Sequence, residues 1–305
     1  MSKVTVYTPA SIGNVGPGFD VLGLALDGAG DTLTIELVKG PSKIIEVTGK
    51  DADKVPTDAS QNATVIAAEA FLRKNNISAG VHVWCQRSLP ISGGLGSSAA
   101  AATGGALSAA LASGLQFTDE DILECALAGE AHVAGKHLDN IAPCYFGGLT
   151  AVLSTLPPVV QKLPHSHQIK VVVITPDLRL STKDARAVLP STLSTQQWTQ
   201  QMSLAIGLAA GLASGEEQTI KNCLKDPFAE KARSPLIPHF EKVKAAALEA
   251  GALGCSISGA GPTLFALVGT RHDAERIGER MRQAFLPIPS VARICQIATQ
   301  GAHRI

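Results

Sequence analysis

Residues 92–98 read SGGLGSS, three glycines and three serines in seven positions, and from Ser88 to Thr118 the chain carries no charged side chain. The preceding segment GVHVWCQRSLP (80–90) alternates like a strand, and the serines and alanines of 97–113 suit a helix packed tightly on a sheet. A strand that ends in a glycine loop and enters a helix gathers backbone N–H groups at the positive end of that helix, which is an anion site by geometry. Phosphate is the usual guest. The loop departs from the pattern GxxxxGK followed by serine or threonine, because Ser97 and Ser98 stand where the lysine and the hydroxyl would be. A magnesium ion would neutralise the phosphates instead, held by a hydroxyl and at least one carboxylate. Ser97 offers the hydroxyl. Glu130 offers the carboxylate: in the helix that opens near Thr118, Ile122, Ala126 and Val133 form an apolar stripe, and Glu130 follows Ala126 by four residues on that face. A carboxylate so placed needs a partner or loses its charge. The plainer alternative is a glutamate that closes the stripe at the helix edge.

The elements that must hold these groups can be read from periodicity and punctuation. Residues 3–8, 31–38 and 43–48 read as strands, and NATVIAAEAFLRKN (62–75) has helical spacing with Asn62 placed to cap it. FTDEDILECALAGEAHVAG begins a second helix, with Thr118 as N-cap and Asp121 near the capping-box position. Residues 157–168, PPVVQKLPHSHQ, hold three prolines and two histidines without periodicity, which predicts a domain boundary and divides the chain into 1–163 and 164–305. The second part opens on a buried strand, IKVVVIT (169–175). Helical stretches follow at 183–188, 196–213, 216–225 and 236–250, then two strands about the glycine turn of GCSISGAGPTLFALVG (254–269), a helix over 272–285 and a last strand over 291–298. The expected class is α+β in two domains.

Composition narrows the function classes. A chain of 305 residues with 45% hydrophobic content can bury two ordinary cores. Lysine plus arginine equal aspartate plus glutamate at 26 each, so no global field draws nucleic acid or an acidic membrane surface. The six cysteines, at 85, 125, 144, 223, 255 and 295, are too scattered for a zinc ligand set and fit buried small hydrophobes in a reducing cytosol. The N-terminus lacks the apolar run of a signal peptide, and the expected location is cytoplasmic. The uncharged stretch after Ser88 is long enough to span a bilayer, but glycine, serine and alanine dominate it where insertion needs leucine, isoleucine and phenylalanine. No membrane partner is expected, and a homodimer is compatible with the sequence.

The segment PISGGLGSSAAAA (90–102) resembles the phosphate loop of the small-molecule kinases related to galactokinase, homoserine kinase, mevalonate kinase and phosphomevalonate kinase. PASIGNVGPGFDVLGLAL (9–26) is similar to the N-terminal motif of the homoserine kinases, and SISGAGPTLFAL (256–267) to the C-terminal glycine motif of the whole superfamily. HLDNIAPCYFGG (137–148) and STKDARAVLP (181–190) are also similar to homoserine kinase segments. The resemblance implies a two-domain kinase with an N-terminal domain like domain 2 of ribosomal protein S5 and a ferredoxin-like C-terminal domain. It also implies ATP and magnesium, and phosphorylation of the side-chain hydroxyl of L-homoserine on the way to threonine.

Homoserine offers an ammonium, a carboxylate and a hydroxyl, and the resemblance assigns a group to each. Asn14 and Asp20 flank the turn VGPGF and match the pair around the amine and hydroxyl; otherwise they are turn residues. Arg186 and Arg233 match the arginines aimed at the substrate carboxylate, which suits a planar guanidinium; otherwise they are surface charges. His137 and Asn140 match a pair near the substrate, with Asn140 at the reacting end. Gly259, with Ser258 and Gly261, belongs to the third motif, whose turn supports the phosphate loop and approaches the substrate. The nucleotide falls to Pro90, Ile91, Ser92, Gly93, Gly94, Leu95, Gly96, Ser97, Ser98, Ala99 and Ala100, with Arg87 just ahead of the loop. Asn62 matches a position near the base, a role that can coexist with capping. The catalytic set is then Asn140, Asp20, Ser97 and Glu130, with Ser97 and Glu130 on the metal.

Three other readings remain open. A kinase of the same fold could act on another alcohol, although Arg186, Arg233, Asn14 and Asp20 fit an amino acid better. A family member without activity could serve as a regulator, although Ser97 and Glu130 are both present. A nucleic-acid-binding protein would need a basic, aromatic-bearing face that the sequence lacks.

Overall fold

The computed structural model describes residues 3–305; Met1 and Ser2, the start of the N-terminal strand-like segment, lie outside them. β1 (Lys3–Gly13) and β2 (Leu22–Val38) make a long antiparallel ribbon that runs from Lys3 opposite Glu36 to Gly13 opposite Gly23. Both strands outrun the 3–8 and 31–38 expected from alternation. The added residues, among them Ala10, Ile12, Leu24 and Leu26, are fully buried, and strands covered on both faces lose the period of two. Pro9 stands where the register shifts, a place that tolerates a missing N–H.

The ribbon organises the first sheet. β3 (Lys43–Gly49) lies parallel to β4 (Gly80–Arg87), and β4 pairs with the second half of β2. α1 (Ala63–Lys74) connects β3 to β4, with the Asn62 side chain accepting from the backbone N–H of Thr64 and Val65. α2 (Ser97–Ser113) follows the glycine loop and is buried almost all round, as a helix without a polar face must be. Its neighbours are α1, α3 (Asp119–Val133) and the ribbon. Gly105 lets α1 come close: a Cβ there would stand 2.2 Å from the Thr64 carbonyl oxygen. α3 opens on the Thr118–Asp121 capping box. The short α4 (Ile141–Phe146) leads into β5 (Leu149–Thr155), which pairs with Leu22–Leu24 of β2.

Residues 157–168 differ from expectation. Their first half is a strand, β6 (Pro158–Leu163), paired with β5 in the first sheet. Its burial is irregular, so it shows neither a period of two nor an apolar run.

The second sheet has the order β10-β7-β9-β8, all antiparallel. β7 (Lys170–Pro176) is followed by α5 (Thr182–Ala187), α6 (Thr195–Ser214), α7 (Glu217–Cys223), the short α8 (Ala229–Arg233) and α9 (Phe240–Glu249). The helix expected over 236–250 starts only at Phe240, beyond Pro238. β8 (Gly254–Ile257), β9 (Leu264–Val268), α10 (Ala274–Phe285) and β10 (Ser290–Gln296) complete this part. Alternate residues face two cores: Val171, Val173, Phe265 and Leu267 meet Ile12, Leu24 and Leu26 of the ribbon, while Val172, Ile174, Leu264 and Ala266 meet α9 and α10. The chain returns to the first sheet through β11 (His303–Arg304), which pairs with β1. Among the described residues no helix is long and apolar enough to cross a membrane.

Candidate active site

The glycine loop between β4 and α2 presents an open helix terminus. Gly96, the residue before α2, is left-handed (φ 66°) and gives no side-chain cap, so the first N–H groups of the helix are free to meet an anion. Only glycine fits, because a Cβ at Gly96 would stand 2.0 Å from Ser11 Oγ. The turn between β8 and β9 holds the loop from behind: Ser258 Oγ donates to the Gly94 carbonyl at 2.5 Å and Thr263 N–H to the Gly93 carbonyl at 3.3 Å.

The two serines at the start of α2 face different partners. Ser98 Oγ donates to Glu130 Oε1 on α3 at 3.0 Å, while Ser97 Oγ accepts from Arg87 Nη2 at 2.7 Å. From the sequence, Ser97 is the hydroxyl expected beside Glu130. The structure sets Ser98 there, because successive helical residues point about 100° apart. Glu130 is 5% exposed although Val133, expected on the same stripe, is 56% exposed. Its Oε2 is buried and unpaired, and burial pushes the carboxyl up to about 7 against the pull of the Ser98 hydrogen bond. A carboxylate with one orphaned oxygen beside a hydroxyl and an anion site fits a divalent cation. Among the described residues no group of three or more His, Cys, Asp and Glu side chains could hold a metal. A cation here would therefore draw ligands from phosphate oxygens and water.

The second half of the site is the turn that ends the β1–β2 ribbon. Asn14, Val15 and Asp20 all have positive φ (66°, 42° and 55°); Asn and Asp enter this region readily, but the β-branched Val15 holds it only under constraint. The constraints are visible: Asn14 N–H donates to Asp139 Oδ2, Asn14 Nδ2 to the Gly259 carbonyl, and Asp20 N–H to Asn14 Oδ1, at 3.0, 2.9 and 3.0 Å. Arg186 on α5 grips the Asp20 carboxylate, and His137 Nδ1 lies 3.6 Å from the same carboxylate. Burial holds the His137 imidazole below its ordinary pKa, with Asp20 opposing. Arg233, at the end of α8, is 2% exposed and donates to the carbonyls of Ala185 and Gly259. Burial leads, and the charge of Arg186 adds, in lowering its pKa.

Both halves open onto one cavity of about 310 Å³. Asn14, Asp20, His137, Asn140, Arg186, Arg233 and Gly259 line it together with Asn62, Arg87, Ile91, Ser92, Gly93, Gly94, Gly96, Ser97, Ser98 and Glu130. Leu95, Ala99 and Ala100 are buried in the cores, and Pro90 packs against Gly93. Two features escaped the sequence reading, an apolar lining and Phe19; a third, Asp139, is the neighbour of Asn140 and a candidate base by its type. Ile44, Val47, Val83 and Cys85, paired across β3 and β4, give the cavity an apolar lining, a slot a flat base could enter. Asp139 is 3% exposed and its carboxyl rises to about 7, chiefly through burial and then through Asp20. Phe19 sits beneath both arginines, its ring centre 5.2 Å from the Arg186 guanidinium carbon and 5.4 Å from that of Arg233. An aromatic beside one polar turn carries no sequence signal for two distant cations.

Matches to known proteins extend the picture. The descriptions "GHMP kinases N terminal domain" and "GHMP kinases C terminal" fit residues 62–148 and 208–287. The homoserine kinase of Pyrococcus abyssi is 36% identical over 93% of this chain and 92% of its own length. The chain belongs to the homoserine kinases, within the GHMP kinases. The homoserine kinase of Arabidopsis thaliana is 36% identical over 99% of this chain and 85% of its own length. The crystal structure of homoserine kinase from Cytophaga hutchinsonii superposes with a TM-score of 0.94 at 37% identity, over 100% of this chain and 98% of that one. The L. major mevalonate kinase shares the fold alone, at a TM-score of 0.73 and 14% identity, over 97% of this chain and 96% of that one. This two-domain kinase fold, with mixed helix and strand, is the α+β architecture expected from the sequence.

Proposed function

We propose that the protein transfers the γ-phosphoryl group of ATP to the side-chain hydroxyl of L-homoserine, giving O-phospho-L-homoserine for threonine synthesis. The observation that carries this reading is the pairing of opposite ends in one cavity. The loop of 92–98 offers backbone N–H groups to phosphate, and facing it Asp20 and Asn14 lie beside Arg186 and Arg233. An amino acid needs such a wall, with acceptors for its ammonium and guanidinium groups for its carboxylate. A sugar or mevalonate needs no site for both charges.

The reacting hydroxyl would lie near Asn140, whose Oδ1 accepts from Ser11 Oγ at 3.0 Å, so the amide is oriented before substrate arrives. The hydroxyl oxygen bonds to the γ-phosphorus as the bond to ADP breaks, and the substrate proton leaves to phosphate or water. Glu130 and Ser98 would hold magnesium, which when bound neutralises charge on the transferred group. The apolar slot of Ile44, Val47, Val83 and Cys85 suits adenine. Six cysteines without disulfides fit a cytoplasmic enzyme.

An ADP-release assay over L-homoserine, mevalonate, galactose, serine and threonine, with magnesium and ATP, tests the assignment. L-Homoserine should show the highest kcat/KM. Faster turnover of mevalonate or a sugar would move the enzyme to another branch of the fold, and no turnover of any alcohol would favour a regulator.

A further inference from the structure

Arg87 ends β4 directly behind the phosphate loop and is 7% exposed. Protein groups take three of its five N–H donors: Nε bonds the Lys50 carbonyl at 3.2 Å, and Nη2 bonds the Leu89 carbonyl at 2.9 Å and Ser97 Oγ at 2.7 Å. Nη1 faces Asp31 Oδ2 at 3.6 Å. Asp31, on β2, is fully buried, and its Oδ1 accepts the N–H groups of Ser88 and Leu89 at 2.8 and 3.0 Å. Its Oδ2 has no hydrogen bond, so the guanidinium alone answers that oxygen. A carboxylate, a guanidinium and the first hydroxyl of α2 thus stand in one buried line that ends at the cavity.

A hydroxyl oxygen that accepts from a guanidinium keeps its own proton to donate. Arg87 and Ser97 both line the cavity, and with Arg87 bonded to its oxygen the Ser97 hydroxyl keeps its proton for whatever anion sits on the loop. Accepting from a cation also polarises the hydroxyl and makes it a stronger donor.

We propose that Asp31 and Arg87 form a positioning pair that fixes the Ser97 hydroxyl as a donor to a phosphate oxygen of ATP, with Arg87 acting through Ser97. The two serines then divide the work: Ser97 serves phosphate, and Ser98 serves Glu130. In a loop that lacks lysine, this line brings cationic character to the phosphates without placing an ammonium among them. The proposal rests on the nucleotide reading of the loop and deepens it.

Calorimetric titration of ATP into the protein without homoserine, together with separate KM values for ATP and homoserine, tests the pair. Ser97→Ala and Arg87→Met should each weaken ATP binding by roughly ten- to a hundredfold, the loss of a hydrogen bond to a charged group, and leave the homoserine KM near its wild-type value. The double variant should bind ATP no more weakly than the worse single one, because both act through one hydroxyl. Arg87→Lys keeps a charge beside Asp31 but cannot span the Lys50, Leu89 and Ser97 oxygens, so it should recover part of the affinity. Asp31→Asn should shift ATP affinity in the same direction by less. Wild-type ATP affinity in Ser97→Ala, or losses that add in the double variant, would overturn the proposal. Should Arg87→Met not fold, Ser97→Ala and Arg87→Lys, which both leave Asp31 facing a cation, decide the matter. A wild-type protein that binds no ATP is a separate result, against the nucleotide reading itself.

Discussion

Arg186 and Asp20, 166 residues apart, meet in a forked ion pair: Nη2 lies 2.8 Å from Oδ1, and Nη1 lies 3.2 Å from Oδ2. One partner stands on the turn of the β1–β2 ribbon and the other on a short helix after β7. The arginine proposed to meet the substrate carboxylate already holds a carboxylate of the protein. The two side chains remain about a third exposed, so solvent screens the pair and its strength is modest. A zwitterion entering the cavity can therefore exchange partners, its ammonium taking Asp20 and its carboxylate taking Arg186.

From this exchange follows a binding phenotype. Arg186→Ala should raise the homoserine KM and lower kcat/KM, by an amount equivalent to about 2–5 kcal/mol where bound substrate desolvates the ion pair and by less where solvent still screens it, with the KM for ATP little changed. Arg233→Lys should act in the same direction, and the double variant should lose less than the sum, since both groups meet one carboxylate. Phe19→Leu removes the ring beneath both guanidinium groups and should produce a milder rise in the homoserine KM. Steady-state kinetics with each substrate varied in turn measures all three. Unchanged constants in both arginine variants would place the carboxylate elsewhere.

Glu130 carries the cation prediction. Glu130→Ala should lower kcat by several orders of magnitude while circular dichroism stays native, because the charge on the transferred group is then left unanswered. Ser98→Ala should raise the magnesium concentration needed for half activity, and Ser97→Ala should raise the KM for ATP instead. Normal turnover in Glu130→Ala would reduce that residue to a structural glutamate.

Gly13 offers a steric test. A Cβ at this position would stand 2.3 Å from Asn140 Nδ2 and 2.4 Å from Asp139 Oδ2, and both side chains are fixed by other hydrogen bonds. Gly13→Ala should therefore displace the Asn140 amide, proposed to meet the reacting hydroxyl, and abolish most of kcat, with a loss of stability of about 1–3 kcal/mol from overpacking. Denaturant unfolding beside an activity assay separates the two effects. Wild-type kcat in Gly13→Ala would show that the amide is not needed where it stands.

Much of the fold was legible because its signals are local. Thr118 with Asp121 and Asn62 before α1 declare their helices by capping chemistry, and β7 shows as an unbroken apolar run. α4, α8 and β11 are short, with β11 pairing to β1 at the far end of the chain, and β6, though it folds back on the adjacent β5, has irregular burial. The loop could be read as an anion site from glycine spacing alone. The split between Ser97 and Ser98 could not, because it depends on which of two adjacent hydroxyls α3 faces. Likewise the contact of Phe19 with two arginines joins the ribbon turn to α5 and α8 across the chain, and no spacing in the sequence encodes that meeting.

Asp139 poses the question of the base. It neighbours Asn140, lines the cavity and has its carboxyl raised to about 7 by burial and then by Asp20, which is where a general base would be tuned. Its geometry argues otherwise, since Oδ2 accepts the Asn14 N–H at 3.0 Å and so holds the strained turn that carries Asp20. Phosphoryl transfer through a loose transition state demands little proton removal before the phosphorus bond forms, so positioning and charge neutralisation supply most of the acceleration. An asparagine at 139 offers the same acceptor to Asn14. Asp139→Asn should accordingly keep substantial kcat, and the wild-type kcat profile should lack an acidic limb traceable to this residue. Stability should respond more than rate. A carboxyl whose folded pKa lies above its unfolded value of 3.8 favours the fold while protonated, and that contribution is lost as pH rises from about 4 to about 7. Glu130 acts in the same sense from 4.5 to about 7, so Asp139→Asn should flatten the decline in ligand-free Tm across this window only in part. A folded Asp139→Asn enzyme with kcat reduced by several orders of magnitude and homoserine affinity intact would make Asp139 the base.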